Sequence, residues 1–258
     1  MICKICFQPA APFANARILH KYDVQYFQCP HCGFTQTEAP YWLDEAYSEA
    51  ITLSDIGLVG RNIELAKISA VVLPAFFNPT ARFLDYGGGY GLFVRLMRDA
   101  GFDFYLWDKF VPNLFAKYFE ADLTQQYEAV TALEVFEHLA NPLEEVERIL
   151  SFSKNILFTT LLIPPHNPKP DEWWYYGTEH GQHVALYTGR ALTLMAQKFH
   201  LYLYSNGTNL HLLTCRAIFP PTFRWLTRPK LARLFGRLWK RDSLLADDYS
   251  KVAGKRLV

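Results

Sequence analysis

Apolar and polar positions alternate along the middle of the chain in blocks that predict strands and helices in turn. Short apolar runs, typical of buried parallel strands, occur at 82–86, 104–107, 129–135 and 156–163. Amphipathic segments typical of helices occur at 92–99, 111–118, 143–150 and 190–198. This alternation predicts an α/β fold in which a parallel sheet carries helices on both faces.

Two segments depart from this alternation near the end of the predicted sheet. Residues 164–187 form a long irregular insertion, a kind of segment that is more often functional than not. Its aromatic residues 173–176 are predicted to form a wall over a bound acceptor, and the alternative is simple packing. Strands predicted at 201–204 and 210–217 are separated by an Asn-Gly pair, which is the signal for an antiparallel hairpin.

The residues before position 81 show a different pattern. A β-rich run at 18–28 lies between two pairs of cysteines, and the chain becomes helical from 41 to 77, with Pro74 expected to end the helix. We therefore divide the chain into four parts. They are a small module at 1–38, linker helices at 39–80, the α/β domain at 81–219 and a basic helical tail at 220–258.

Four of the five cysteines fall in the first module, as two C-x-x-C pairs: Cys3, Cys6, Cys29 and Cys32. Two tight turns with two thiolates each complete a tetrahedral Zn²⁺ site, which predicts a zinc-ribbon-like module. Because all four ligands are thiolates, the ion is expected to be structural, holding together a piece too small to bury its own core. Cys215 lies in an apolar strand and is expected to be a buried core thiol.

Composition narrows the class of protein without naming a partner. Half of the residues are apolar, 20% are charged and the net charge is +1, which excludes a disordered chain. Neither a secretory pattern nor an apolar run of membrane-spanning length is visible, so we expect a cytoplasmic protein.

The charge is unevenly distributed, because residues 216–258 carry 11 basic and 3 acidic side chains. An amphipathic helix is predicted there, with the apolar positions Leu231, Leu234, Phe235, Leu238 and Trp239 on one face. Packing of this face on the core is the favoured interpretation. Peripheral contact with an anionic membrane or an acidic partner is the alternative, and nucleic-acid binding is disfavoured because the rest of the chain is acidic.

A glycine-rich turn follows the first predicted strand of the α/β domain and contains Asp85, Gly87, Gly89 and Gly91. Glycines at such a point let the backbone take positive φ and approach a ligand closely. A dinucleotide-binding turn requires a small residue where this chain has Leu92, and Asp85 would repel a pyrophosphate. A ligand that carries positive charge fits the turn better.

The order D-x-G-x-G-x-G after a first strand resembles the cofactor-binding turn of class I S-adenosylmethionine-dependent methyltransferases, and the resemblance covers about residues 60–219. It implies a Rossmann-like, doubly wound sheet of seven strands ending in an antiparallel hairpin. It also implies that Gly87, Gly89 and Gly91 cradle the cofactor's amino-acid end and that Asp85 lies near its ammonium. The remaining cofactor contacts implied by the resemblance are Asp108 on the ribose, Asp122 on the adenine and Glu134 beside the cofactor.

The zinc-ribbon-like module ahead of such a domain resembles the layout of sugar and small-molecule methyltransferases. It implies methyl transfer to a small acceptor, with a sugar or glycan precursor favoured. The alternatives are a cofactor-binding docking subunit without catalysis, and an RNA or protein methyltransferase.

An acceptor oxygen or carbon must usually lose a proton during methyl transfer, so a general base is expected, and histidine is the favoured type near neutral pH. His183, in the insertion, is the first candidate. His138, which lies beside Glu134 and Glu137, is the second, with a purely structural role for it equally open.

Overall fold

The computed structural model describes residues 1–48, 51–52, 55–238 and 241–256. The strands are β1 (Ala11–Ile18), β2 (Tyr22–Gln28), β3 (Thr35–Thr37), β4 (Arg82–Tyr86), β5 (Asp103–Trp107), β6 (Ala129–Ala132), β7 (Asn155–Thr159), β8 (Ala185–Leu186), β9 (Tyr202–Ser205) and β10 (Leu210–Thr214). The α-helices are α1 (Leu43–Ala46), α2 (Leu58–Phe76), α3 (Leu92–Asp99), α4 (Pro142–Leu150), α5 (Gly189–Lys198), α6 (Pro220–Leu226), α7 (Pro229–Leu238) and α8 (Leu245–Ala253).

The chain divides into two compact units. Unit 1 comprises Met1–Thr52 and Leu133–Ala217, and unit 2 comprises Leu53–Ala132 and Ile218–Val258. The mixed α/β fold has six strands among the described residues, β4, β5 and β6 in unit 2 and β7, β9 and β10 in unit 1, and the other four strands belong to a second sheet.

Unit 2 contains the parallel part of this fold, because β4 pairs in parallel with β5 on one side and with β6 on the other. The apolar run of β4 suits this central place, since four of its five residues are buried. Phe83 stacks on Phe104 of β5 with ring centroids 5.2 Å apart. The parallel register pairs Tyr86 with Trp107, so β4 and β5 end at the same edge of the sheet.

A buried ion pair holds the C-terminal helix α8 within unit 2. The guanidinium of Arg98, at the end of α3, donates two hydrogen bonds of 2.8 and 2.6 Å to the carboxylate of Asp248. Arg98 also lies 3.6 Å from the ring centroid of Phe119 and is only 1% exposed. Asp103 is a second ionic partner of Arg98, and Arg95 is a second ionic partner of Asp248, so both buried charges are compensated within unit 2.

In unit 1, β10 pairs antiparallel with β7 on one side and with β9 on the other. The predicted hairpin β9–β10 is therefore confirmed. Its turn is stabilised by the Asn206 side-chain oxygen, which accepts hydrogen bonds from the N–H groups of Thr208, Asn209 and Leu210.

The second sheet of unit 1 has the strand order β1-β2-β3-β8. Since β8 comes from the 164–187 insertion, the N-terminal segment and the insertion share one sheet and one core. Tyr26, Trp42, Tyr175 and Tyr176 are all buried in that core. The aromatic wall predicted at 173–176 is thus wrong for Tyr175 and Tyr176, which pack the fold, while Trp174 is 76% exposed.

The expected seven strands are not confirmed, because the third predicted strand is reduced to one bridge. Residues near Phe119–Thr124 pair with β5 only at Leu106 and Glu120, where the Leu106 N–H donates to Phe119 and its carbonyl accepts from Ala121. Tyr118 has a positive φ of 74°, and Asp122 starts a turn, so the strand does not extend.

Other sequence expectations need correction. The helix predicted at 111–118 is absent, since that segment consists of bends, a turn and residues without regular structure. Pro74 does not end α2, which runs to Phe76, because the loss of one N–H donor does not interrupt a helix of 19 residues. Cys215 is exposed rather than buried, since β10 ends one residue before it.

The basic tail forms α6, α7 and α8. On the predicted apolar face, Leu234 is exposed, whereas Trp239 and the basic residue Lys240 lie outside the described residues. Within the described chain, no helix is both long and apolar enough to cross a membrane.

Candidate functional site

The glycine turn, residues 85–91, connects β4 to α3 in unit 2. Gly87, Gly89 and Gly91 have φ values of 69°, 58° and 87°, in the left-handed region that favours glycine. The turn is held against the end of β5, because the Gly87 N–H donates to the Trp107 carbonyl over 2.8 Å. The Gly89 N–H donates to the Asp108 carboxylate and the Gly91 N–H to the Gly88 carbonyl, so the turn is fixed by its own backbone groups at the start of α3.

Gly88 allows the turn to lie directly on Asp85. A Cβ atom built at Gly88 would stand 2.1 Å from an Asp85 carboxylate oxygen and 2.6 Å from the Leu106 side chain. No side chain can therefore occupy position 88 without displacing Asp85. The sequence had marked Gly87, Gly89 and Gly91 but not the steric role of Gly88.

Asp85 is a buried carboxylate with one hydrogen-bonding side-chain partner, the Thr131 hydroxyl, which donates over 2.6 Å. Burial raises the pKa of Asp85 to about 7, the Thr131 hydrogen bond partly opposes the rise, and the nearby charge of Asp108 adds to it. The carboxylate is thus held at a free-energy cost that a positively charged ligand would relieve.

Asp108 follows β5 and organises the backbone beside the turn. One of its oxygens accepts the Gly89 N–H over 2.8 Å, and the other accepts the N–H groups of Phe110 and Val111. A carboxylate offers about four acceptor positions, so one remains for a ligand hydroxyl. Asp122 differs, because its carboxylate accepts the Thr124 hydroxyl in a local turn, which lowers its pKa.

In unit 1, Glu134 adopts a positive φ of 55°, which is uncommon for a residue with a side chain and often marks functional sites. The Thr159 hydroxyl holds it in place, accepting the Glu134 N–H and donating to the Glu134 carboxylate, each over 2.7 Å. These two hydrogen bonds to one hydroxyl fix the position of the segment that leads into Glu137 and His138.

Glu137 and His138 lie in a short 3₁₀ turn, Phe136–His138. Glu137 is buried, and this burial, together with the charge of Glu134, raises the pKa of Glu137 to about 8. The Tyr175 and Thr160 hydroxyls moderate the rise in pKa, but neither carboxylate oxygen meets hydrogen-bond geometry with any described group. His138 is half-buried, its Nδ1 lies 2.9 Å from the Tyr47 hydroxyl, and desolvation followed by the charges of His183 and His180 lowers its pKa.

The structure brings the two candidate bases together. The rings of His138 and His183 lie 5.0 Å apart, and the hydrogen bond from the Val184 N–H to the Glu137 carbonyl holds their segments side by side. His183 Nδ1 is hydrogen-bonded to the Tyr175 carbonyl, which can only accept, so Nδ1 carries a proton. In its neutral form, His183 would therefore accept a proton at Nε2.

The four predicted metal ligands also converge in unit 1. The sulfur atoms of Cys3, Cys6, Cys29 and Cys32, the cysteine cluster, all lie within 4.8 Å of one another. Cys3 and Cys32 are separated by 3.6 Å and Cys6 and Cys29 by 3.4 Å. The hydrogen bond between Cys3 and Cys32 lowers the pKa of Cys3 and raises the pKa of Cys32, because one thiol donates the proton and the other accepts it as a thiolate.

Residues 61–206 match the family model described as a methyltransferase domain. The chain belongs to the methyltransferase-domain family. The match includes the glycine turn, Asp108, Asp122, Glu134 and the histidine pair, but not the cysteine cluster. No curated protein matches the chain.

Several solved structures are similar to part of the chain. One is TnmH, with 17% identity and a TM-score of 0.49 over 69% of this chain and 62% of that one. Another is a methyltransferase of calicheamicin biosynthesis in its SAH-bound form, with 16% identity and a TM-score of 0.45 over 68% and 60%. A third is an O-methyltransferase family 2 protein from Planctomyces limnophilus in complex with apigenin, with 15% identity and a TM-score of 0.46 over 67% and 66%. The chain spans less than two thirds of the length of each of these structures.

Some residues of the candidate site were missed by sequence reasoning. Tyr47 and the Tyr175 carbonyl orient the two imidazoles, and they come from segments far from His138 and His183 in the sequence. The only local signal of this site in the sequence was that Glu134 and Glu137 lie within four residues of the candidate base His138.

Proposed function

We propose that the chain transfers a methyl group from S-adenosylmethionine to a small-molecule acceptor. The observation that carries this proposal is the buried carboxylate of Asp85 beneath the glycine turn, within the residues that match the family. The cofactor's ammonium would favour ionised Asp85, whose pKa burial raises, and the resemblance implies that Gly87, Gly89 and Gly91 cradle the cofactor's amino-acid end.

Asp108 is proposed to bind a ribose hydroxyl of the cofactor. Its Oδ2 accepts only the Gly89 N–H among the hydrogen bonds given above, so it retains an acceptor position next to the turn. The proposed adenine contact of Asp122 has weaker support, since its carboxylate is occupied by Thr124 and Gln125. Glu134 is proposed to lie beside the cofactor on the strength of the resemblance and its unusual backbone conformation.

His183 is proposed as the general base that removes the acceptor's hydroxyl proton. The Tyr175 carbonyl holds Nδ1, so the neutral ring would take up a proton at Nε2, and the side chain is partly exposed. His138 is proposed as the neighbouring imidazole that assists in positioning the acceptor. A sugar or glycan precursor remains the proposed acceptor class, as implied by the resemblance of the N-terminal layout.

The cysteine cluster is proposed to bind a structural Zn²⁺ ion. Four crowded sulfurs form a complete tetrahedral donor set with no position for water, so the ion would stabilise unit 1 rather than take part in chemistry. This fits the place of Cys29 and Cys32 in the tight turn that connects β2 to β3. Retention of about one Zn²⁺ per chain that is lost on Cys29→Ser substitution would support the assignment.

Turnover is tested by measuring S-adenosylhomocysteine release from S-adenosylmethionine across a panel of nucleotide sugars, free sugars and phenols. We expect release with at least one acceptor, and a fall in kcat of about 10²- to 10⁴-fold for His183→Ala, the usual range for loss of a general base. His166→Ala is the matched control, because His166 is an exposed histidine of the same insertion. Cofactor binding without turnover on any acceptor would instead indicate a docking subunit.

A further inference from the structure

The C-terminal part of unit 2 carries a concentration of positive charge that the proposed function does not use. Residues 217–241 contain seven Lys and Arg and no Asp or Glu. Most of this segment forms α6 and α7, which both pack on α2. The sides of these helices that face away from α2 are therefore the surface on which this charge can meet a partner.

Helical spacing gives α6 two opposite faces. Phe223 and Leu226 are buried three residues apart, and the Phe223 ring lies against an aromatic ring of α2 with centroids 6.4 Å apart. Arg224 and Trp225 fall on the opposite side, Arg228 follows in the turn after α6, and all three are exposed. One face of α6 thus attaches it to unit 2, and the other presents a tryptophan flanked in sequence by two arginines.

Three large apolar side chains of this segment remain in contact with water. Trp225 is 57% exposed, Phe219 directly before α6 is 72% exposed, and Leu234 of α7 is 54% exposed. Side chains of this kind are usually buried to a much greater extent in globular proteins. A partner with an apolar interior would remove this surface from water, which is favourable.

The basic side chains beside them are not used within the protein. Arg224, Arg228 and Lys230 are exposed, and none of them forms an ion pair or a side-chain hydrogen bond with the described part of the chain. Their charges are therefore available to an anionic partner. The basic-aromatic surface is the name used below for six exposed residues: Phe219, Arg224, Trp225, Arg228, Lys230 and Leu234.

We propose that the basic-aromatic surface binds the anionic face of a lipid membrane. Tryptophan, phenylalanine and leucine side chains enter the boundary between headgroups and acyl chains, while arginine and lysine keep their charged ends among the headgroups. Each basic residue close to an anionic membrane strengthens binding by about fivefold. The surface thus combines the apolar and the electrostatic contribution that peripheral membrane binding requires.

Nucleic acid and an acidic protein fit this surface less well. Single-stranded nucleic acid is bound in grooves that follow its backbone, whereas α6 offers the outward face of a helix. The rest of the chain has an excess of acidic residues, which would repel a polyanion that extends around the protein. A membrane touches one side only, and charges beyond the Debye length of about 8 Å are largely screened from it. An acidic protein would pair with the arginines but would leave the exposure of Trp225 and Phe219 without a reason.

The test is sedimentation of the whole 258-residue chain with sucrose-loaded vesicles. One set contains phosphatidylcholine with about one third phosphatidylserine, and the other contains phosphatidylcholine alone. We expect binding to the anionic vesicles only, and weaker binding when the salt concentration rises from about 0.1 M to about 0.5 M. Arg224→Gln/Arg228→Gln should lower the affinity roughly 25-fold, at about fivefold for each charge. Trp225→Ala should also lower it, because the indole ring is lost from the interface.

Two variants in unit 1 are the matched controls. Lys154→Gln/Lys169→Gln removes the same amount of charge from two exposed lysines. Trp174→Ala removes a tryptophan that is 76% exposed. Both are expected to bind anionic vesicles as the unmodified protein does. Every replaced side chain is exposed and no cofactor or acceptor is added, so the result is independent of the methyl-transfer proposal.

Three outcomes would overturn the proposal. The first is folded protein that does not sediment with anionic vesicles, and the second is an equal loss of affinity in the arginine variant and in the lysine control. The third is tighter binding to single-stranded RNA or to polyglutamate than to anionic vesicles, lost in Arg224→Gln/Arg228→Gln, which would assign the surface to a nucleic acid or to an acidic protein.

Discussion

Replacement of Asp85 by Asn is predicted to stabilise the free protein in a pH-dependent way. In the folded chain, burial raises the pKa of Asp85 to about 7 from an ordinary value of 3.8. Between these two values the unfolded chain has lost the proton and the folded chain retains it. A group of this kind contributes less to stability as pH rises, until the folded carboxyl is itself ionised.

The size of the effect follows from the same two values. A difference of about 3 pKa units corresponds to about 4 kcal/mol when both transitions are complete, and about 2.5 kcal/mol of it develops between pH 5 and pH 8. Asn carries no titrating proton, and its side-chain oxygen is able to accept the Thr131 hydroxyl. The free energy of unfolding of Asp85→Asn relative to the unmodified protein should therefore increase by about 2.5 kcal/mol over this range.

Urea unfolding followed by tryptophan fluorescence at pH 5 and pH 8 measures this difference. Asp99→Asn is the control, because Asp99 is a more exposed acid at the end of α3 in the same unit and pairs with Arg95. A stability difference for Asp85→Asn that does not change with pH would refute the assignment of a costly buried carboxylate. The same variant is expected to lose affinity for S-adenosylmethionine, since the ammonium would lose its counter-charge.

Three further predictions concern particular residues. Arg98→Met should lower the free energy of unfolding by about 2 kcal/mol, since buried Asp248 loses its two hydrogen bonds from Arg98 and keeps the ion pair with Arg95, and adding Asp248→Asn should recover part of this loss in urea titrations. Gly88→Ala should reduce both stability and cofactor affinity because its Cβ collides with Asp85, whereas Gly60→Ala, in open space within α2, should raise the free energy of unfolding by up to about 1 kcal/mol. Cys32→Ser should release bound Zn²⁺ and lower the thermal midpoint, and an unchanged metal content would contradict the cysteine-cluster assignment.

Local sequence signals were sufficient for much of unit 2. The apolar run of β4 and the glycines after it predicted a strand, a turn with positive φ and a helix, and all three are present. These features depend on neighbouring residues and on backbone sterics, which a single sequence displays directly. The prediction of a strand at 119–124 was wrong. This segment pairs with β5 at a single bridge, and it lies between Tyr118, which has a positive φ, and a turn, so the pairing does not extend into a strand.

The arrangement in unit 1 depends on contacts between distant segments, which local patterns do not reveal. Pairing of β8 with β3 joins the insertion to the N-terminal segment and buries Tyr175 and Tyr176 in a common core. The sequence offered His138 and His183 as competing bases, whereas the structure places their rings 5.0 Å apart. Cys215 was judged by its apolar neighbours, but strand β10 ends before it and leaves it exposed.

Calorimetric titration with S-adenosylmethionine and S-adenosylhomocysteine tests the central claim most directly. Unmodified protein, Asp108→Ala and the control Asp99→Ala are titrated under the same conditions. We predict binding by the unmodified protein and the control, with a loss of affinity of at least about 10-fold for Asp108→Ala, the usual cost of a hydrogen bond to a charged group. Folded protein that binds neither ligand, or an Asp108→Ala variant with unchanged affinity, would contradict the proposed cofactor site.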